Sequence, residues 1–283
     1  MHLSRFSESS RATRRYVRLY VQRDAQLGLA TFTHPVTARS ADLMDFEFGD
    51  FVEIQSSGTD LTRTAEAAAV VGLQTSQRTQ LLIRGNTESF VIFFQPGAIH
   101  QLFRLSAADI INRDYAAHCV LGAAASELYQ RLGNARSFQE RVQIADQFIT
   151  SQSLRARAPD SIDLVADEIM RNHGECRIDG LAQHAGLSIR NLQRMFRQRI
   201  GVSPKLYARI VRFESALKTK ASSPDKSWTA VAQQFGYHDQ MHMIHDFRQL
   251  SGETPTGILG QMETVFAPQI HFPQRQDPDL LVL

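Results

Sequence analysis

The sequence predicts an α+β protein. Its N-terminal half is β-rich (barrel- or sandwich-like) with trailing helices, and its C-terminal half is an all-α domain of two helix-turn-helix units joined by a long helix. Three observations carry this expectation. Up to about Phe103 the apolar residues come in short runs separated by turn residues. Beyond it they recur at helical spacing, and the helical half contains a repeat of itself.

A chain of 283 residues fits one large or two ordinary domains, and a hydrophobic content of 43% is enough for buried cores. No apolar run reaches the ~18–20 residues that span a bilayer. The polar, arginine-rich stretch Met1–Tyr20 does not read as a secretion signal. Cys119 and Cys176 lie far apart, which makes neither a disulfide framework nor a zinc site and suits a reducing cytoplasm. We therefore expect a cytoplasmic protein without a membrane partner. The net charge of +2 is uninformative by itself. Its distribution is not: Ser188–Lys226 holds ten basic residues against Glu214 and Asp225, a local net charge of +8. Such a zone is the footprint of phosphate binding, although a solvated helix face would look the same.

In the β-rich half, Tyr16–Arg23 places β-branched and aromatic residues in near alternation. Shorter runs follow at Phe51–Ile54, Ala67–Leu73, Gln80–Arg84 and Phe90–Phe94, with turns expected at Ser57-Gly58, Gly85-Asn86 and Pro96-Gly97. After Phe103, Ser137 and Glu140 have the spacing of a capping box for a helix through about Ile149, striped by Val142, Ile144, Phe148 and Ile149. Leu121, Leu128 and Leu132 form a further apolar stripe. It either pairs across a two-fold axis, giving a homodimer, or covers the barrel of its own subunit. The predicted division is a regulatory domain over residues 1–152, a polar linker 153–160, a helical domain 161–262 and an irregular tail 263–283 carrying Pro268, Pro273 and Pro278.

The repeat is the most specific feature. Leu181-Ala182-Gln183-His184-Ala185-Gly186-Leu187-Ser188 is answered fifty residues later by Val231-Ala232-Gln233-Gln234-Phe235-Gly236-Tyr237-His238. In each copy a small-residue helix meets a glycine turn, and a second helix runs to Phe196 or Phe247. A Gly-x-Ser/Thr-Pro ending follows, at Gly201–Pro204 and Gly252–Pro255. Glycine admits the positive φ of a tight interhelical turn, and alanines let the two helices approach. Leu187, Leu192 and Phe196 point inward at helical spacing, as do Tyr237, Met243 and Phe247. Arg190, Gln193, Arg194 and Arg197 are then left outward, on the face that enters a major groove.

These residues resemble the DNA-binding domain of AraC-family (AraC/XylS) transcription regulators over about Ile162–Met262. The first unit of that family is matched by Ala182–Ser188 with Leu192–Phe196, and the signature second unit by Ala232–His242 with Asp246-Phe247-Arg248. Pro204–Lys220 fits the family's joining helix, packed through Tyr207, Ile210, Val211, Phe213 and Ala216. The resemblance implies a DNA-binding transcription activator. Its groove-facing residues would be Arg190, Gln193 and Arg194 in the first unit and Gln240, Met241, Ile244 and His245 in the second. Met241 and Ile244 offer no hydrogen bonds, so the second unit would touch thymine methyls or mainly hold the backbone. In the first unit Arg194 is expected to meet bases, with Arg190 and Gln193 beside it, while Arg197 and Arg199 meet phosphates. The stretch Phe93–Phe103, ahead of a helical region ending in Leu121-Gly122, resembles the sensor domains of one subgroup of that family. This implies a small-molecule effector without identifying it. Double-stranded DNA is the expected partner, and RNA polymerase is a further one to consider.

No catalytic site is expected: Ser56-Ser57-Gly58 and Ser161-Ile162-Asp163 lack the elbow or base that nucleophilic catalysis needs. No metal site or cofactor is expected either. His34, His100, His118, His173 and His184 do not fall at ligand spacing. His238 and His242 do, four apart, but inside the DNA-binding unit, where packing or phosphate contact is the better account.

Overall fold

The computed structural model describes residues 2–266. The N-terminal strands are β1 (His2–Glu8), β2 (Val17–Val36), β3 (Leu43–Gly49), β4 (Glu53–Ser56), β5 (Thr62–Thr64), β6 (Ala68–Val71) and β7 (Thr79–Phe94). Then come α1 (Ala98–Phe103), α2 (Ala107–Ile110), β8 (Asp114–Ala116), α3 (Ala117–Leu121), α4 (Ala123–Gly133) and α5 (Phe138–Ser153). The C-terminal helices are α6 (Ser161–Arg171), α7 (Ile178–His184), α8 (Ile189–Ile200), α9 (Pro204–Ser222), α10 (Trp228–Gln234), α11 (Gln240–Ser251) and α12 (Pro255–Phe266).

All eight strands belong to one antiparallel sheet, ordered β1-β2-β7-β3-β6-β8, with β4 pairing β7 and carrying β5. The long strands β2 and β7 pair from one end to the other, Val17 with Phe94 and Val36 with Thr79, interrupted by a register shift between Gln26 and Thr31. That irregularity lets the sheet fold over itself. The near halves of β2 and β7 pair with β1 and β3 respectively, while Thr79–Leu82 of β7 lies between Thr33–Val36 of β2 and β4. The expected turn at Gly85-Asn86 is therefore not a turn. The two short runs Gln80–Arg84 and Phe90–Phe94 belong to one sixteen-residue strand, whose Gly85 takes a positive φ of 68°.

Helices α3–α5 cover one face of the sheet. Leu128, Leu132, Val142 and Ile149 bury themselves in a core with Tyr20, Phe46, Phe90 and Phe94. Of the two uses open to the stripe, covering the sheet of its own subunit is the one seen: Leu128 and Leu132 are 2% and 0% exposed, and half-buried Leu121 packs against the same core. Ser137 caps α5 by accepting from the Glu140 amide, but the Glu140 carboxylate reaches one residue further back, to the Arg136 amide. The C-terminal core gathers Leu181, Leu192, Phe196, Tyr207, Phe213 and Phe247 around α9. α12 runs past Met262 to Phe266, so the first residues of the predicted irregular tail are helical, and 267–283 lie outside the described residues.

Candidate nucleic-acid interface

Each helix-turn-helix unit is built by local rules. Gly186 and Gly236 adopt φ of 65° and 64° at the interhelical turns. Ser188 caps α8 by accepting from the Asn191 amide, and Asp239 caps α11 by accepting from the His242 amide at 2.7 Å. The repeated Gly-x-Ser/Thr-Pro ending now has a physical reading. Gly201 and Gly252 close α8 and α11 in left-handed conformation, and in the first unit Ser203 caps α9 with Pro204 in its first turn.

α8 buries Leu192, Phe196 and Ile200, which turns Arg190, Gln193, Arg194 and Arg197 to the solvent as one exposed face. The side chains of the three arginines make no hydrogen bond or ion pair with any described residue. Gln240, Met241 and His245 are exposed on α11, Met241 at 68%, while Ile244 is half-buried. The two helices align residue for residue at an offset of 51: Arg190 on Met241, Gln193 on Ile244, Arg194 on His245 and Phe196 on Phe247. The same alignment places exposed Arg248 opposite Arg197, a candidate that each unit taken alone does not reveal. Thr229 is another that sequence reasoning misses. Its hydroxyl meets Gln240 Oε1 at 3.1 Å, so α10 orients an exposed amide on α11.

Much of the local +8 charge does not face outward. Arg209 pairs with buried Asp246 at 2.6 Å, Arg212 donates to the Gly174 carbonyl at 3.1 Å, and Lys220 donates to the Pro224 and Lys226 carbonyls. Arg199, expected on a phosphate, instead pairs with Asp160 at the cap of α6, its side chain only 15% exposed. The reason is its place on α8: the C-terminal end of that helix packs against α2, with Gly201 beside the Ala107 carbonyl. The N-terminal half, with Arg190 and Arg194, stays open.

Residues 181–261 match the family described as a helix-turn-helix domain. This is an AraC-type helix-turn-helix domain. It makes the chain a DNA-binding transcription regulator. No curated protein matches the chain in a sequence search. Among solved structures, an apo lysine-to-alanine variant of ToxT from Vibrio cholerae is 10% identical, covers 90% of this chain and 99% of its own, and gives a TM-score of 0.51. Wild-type ToxT from Vibrio cholerae with an unsaturated fatty acid bound is 10% identical over 92% of this chain and 95% of its own, at a TM-score of 0.50. The DNA-binding domain of AdpA, in complex with a target DNA, is 22% identical over 38% of this chain and 97% of its own, at a TM-score of 0.35. At such identities the likeness to ToxT shows a shared fold, in which a β-rich region with helices precedes the AraC-type domain.

The β-rich region encloses a cavity of about 130 Å³ where its sheet folds over. Charges of both signs line it: Arg23 and His34 from β2, Asp45 and Glu47 from β3, and Arg39 from the segment between them. Burial pushes Asp45 and Glu47 up from the ordinary carboxylate range, and each acid is also near Arg23. Burial, with Arg23 and Arg39 nearby, pushes His34 down to about 3 and keeps it neutral. Asp45 Oδ1 is buried without a hydrogen-bond partner among the described residues. This cavity adjoins the AraC-type domain through a strap of alternating residues. Thr37 and Arg39 face the cavity. Ala38, between them, donates its amide to the Leu250 carbonyl of α11 at 2.9 Å and lies in the C-terminal core. Ser40 donates its amide to the Glu214 carboxylate of α9 at 3.0 Å, and its hydroxyl bonds the same carboxylate.

Proposed function

We propose that the protein reads two adjacent major-groove segments through α8 and α11, as a cytoplasmic transcription activator controlled through its N-terminal region. One observation carries the reading: α8 presents Arg190, Gln193, Arg194 and Arg197 together on an exposed face, clear of its contact with α2. Arginine reaches guanine O6 and N7 together and glutamine reaches adenine N6 and N7, so Arg190, Gln193 and Arg194 serve as base readers and Arg197 as a phosphate contact. On α11, Gln240 and His245 supply polar contacts, and Met241 with Ile244 supplies an apolar surface for thymine methyls. Arg248 joins them as the counterpart of Arg197.

Control would enter at the mixed-charge cavity. ToxT holds an unsaturated fatty acid in one of its structures. Here the walls carry both guanidinium and carboxylate groups. They suit a compact effector that offers donors and acceptors at once, and its arrival would be felt along the strap 37–40 at α9 and α11. Enzymatic activity is no element of this reading.

The test is a titration of fluorescent duplexes at several salt concentrations, after selecting a cognate site from genomic fragments. Arg194→Ala is expected to cost ~1–3 kcal/mol on the cognate site and to relax preference at one or two base pairs, with random DNA little affected. Equal losses on cognate and random duplexes would make Arg194 a phosphate clamp. Binding insensitive to salt would remove the DNA reading altogether.

A further inference from the structure

We propose that Gln249 is a positioning residue that presets the His245 imidazole as a hydrogen-bond donor toward a base acceptor in the groove. The inference rests on the reading of α11 as a groove-facing helix and adds to it the direction of one contact.

The argument starts from a buried acid. Asp246 is 2% exposed and pairs with Arg209 of α9, Nη2 lying 2.6 Å and Nε 3.2 Å from Oδ1. The pairing leaves Arg209 Nη2 facing Gln249, 2.6 Å from Oε1. A guanidinium only donates, so the Gln249 atom that meets it has to be the amide oxygen. The orientation of an amide is ordinarily open, and here an arginine anchored on a buried carboxylate closes it.

With its oxygen committed, Gln249 presents its amide nitrogen to the other side, where Nε2 stands 2.8 Å from His245 Nε2. An amide NH₂ only donates, so the ring nitrogen it meets accepts. Neutral imidazole has one accepting and one donating nitrogen, which places the proton of His245 on Nδ1. The chain Asp246–Arg209–Gln249–His245 thus converts a buried charge into a fixed tautomer on an exposed ring. A ring held this way offers Nδ1–H to purine N7, guanine O6 or thymine O4, and has nothing for the amino groups of cytosine or adenine. His245 occupies the place in the second unit that Arg194 occupies in the first, so both units would present donors at matching positions.

The experiment uses the full chain with ¹⁵N-labelled histidine, with His245→Gln assigning the resonance. Two-bond ¹H–¹⁵N correlation at about pH 8.5, above the ordinary histidine range, reads the tautomer directly. The expected result is a protonated Nδ1 in the free protein. Gln249→Met removes the donor at an exposed site without disturbing the Arg209–Asp246 pair. It is expected to release the ring toward the Nε2–H form and to lower discrimination at one base pair about fivefold, with random-duplex affinity within about twofold. Gln198→Met, at the matching place on α8, is the control and should change neither readout. An Nε2–H ring in the unaltered chain overturns the relay whatever DNA binding does. A released tautomer with unchanged base discrimination overturns its use in reading bases. If His245→Gln leaves cognate binding intact while the Nδ1–H form is present, the groove-facing reading of α11 fails at this residue, and the proposal falls with it.

Discussion

Arg194 and Arg199 lie five residues apart on α8 and serve different ends, because the helix has two environments along its length. Near its N-terminus the outward face is open. Near its C-terminus it leans on α2, and Arg199 finds Asp160 there instead of solvent. Partial burial of the pair, with Arg199 the more enclosed partner, makes it costly to break from one side only, since the remaining carboxylate loses its counter-charge at the cap of α6. We therefore expect Arg199→Ala to lower stability by ~1–2 kcal/mol, a fall in Tm of about 2–8 °C for a chain of this size, while the salt slope of DNA binding stays unchanged. Differential scanning calorimetry and salt-titrated binding measure the two effects. An unchanged Tm with a salt slope reduced by about one would return Arg199 to the phosphate.

At the scale of elements, β3 shows why the β-rich half is harder to read from sequence than the helical half. Its residues alternate cleanly: Met44, Phe46 and Phe48 pack toward the helices, while Leu43, Asp45 and Glu47 line the cavity. Acids on an inward face break the expected pattern of apolar inside and polar outside, so Leu43–Gly49 does not announce itself as a strand. The glycine turns and Ser/Asp caps of the two repeats, by contrast, follow from conformational rules acting within a few residues, and they can be read directly. What lies beyond reach are partnerships between distant residues: Arg199 with Asp160, Ser40 with Glu214, and Arg209 with Asp246. The acids of β3 also have a measurable consequence. A carboxyl raised by burial above its unfolded value of ~3.9 favours the fold while protonated, and its ionised form costs stability as pH rises through the native value. Asp45→Asn removes that cost. Its advantage over the unaltered chain, read as a difference in Tm, should be absent in strong acid, grow as pH rises from about 4, and level off past the native value. A Tm that matches the unaltered chain in strong acid and falls below it as pH rises would show that attraction to Arg23 and Arg39 outweighs burial at this position.

For the whole molecule, the two halves are joined by more than the segment between α5 and α6. Ala38 and Leu73 from the N-terminal half are buried in the C-terminal core, Ser40 holds Glu214, Arg199 holds Asp160, and Ala107 lies against Gly201. The connecting segment itself is open: Leu154 is 85% exposed, and Arg155 and Arg157 are exposed beside it. Backbone that is exposed and outside regular structure is where proteases cut first. Trypsin should therefore cleave after Arg155 or Arg157 before it touches α9, whose length is packed through Tyr207, Ile210, Phe213 and Leu217. Cleavage there need not free the fragments. The contacts across the halves are buried apolar groups and hydrogen-bonded charges that do not pass through the cut, so the nicked chain should still elute as one species in native buffer. It should come apart only at a urea concentration below that which unfolds the AraC-type domain, because an interface within a chain is smaller than a domain core. The same experiment bears on control through the strap: Ser40→Ala should lower the urea concentration at which the nicked halves separate. A first cut inside α9 would count against the proposed division near residues 153–160. Fragments that part immediately in native buffer would show that contacts between the halves are too weak to carry a signal from the cavity to α9 and α11.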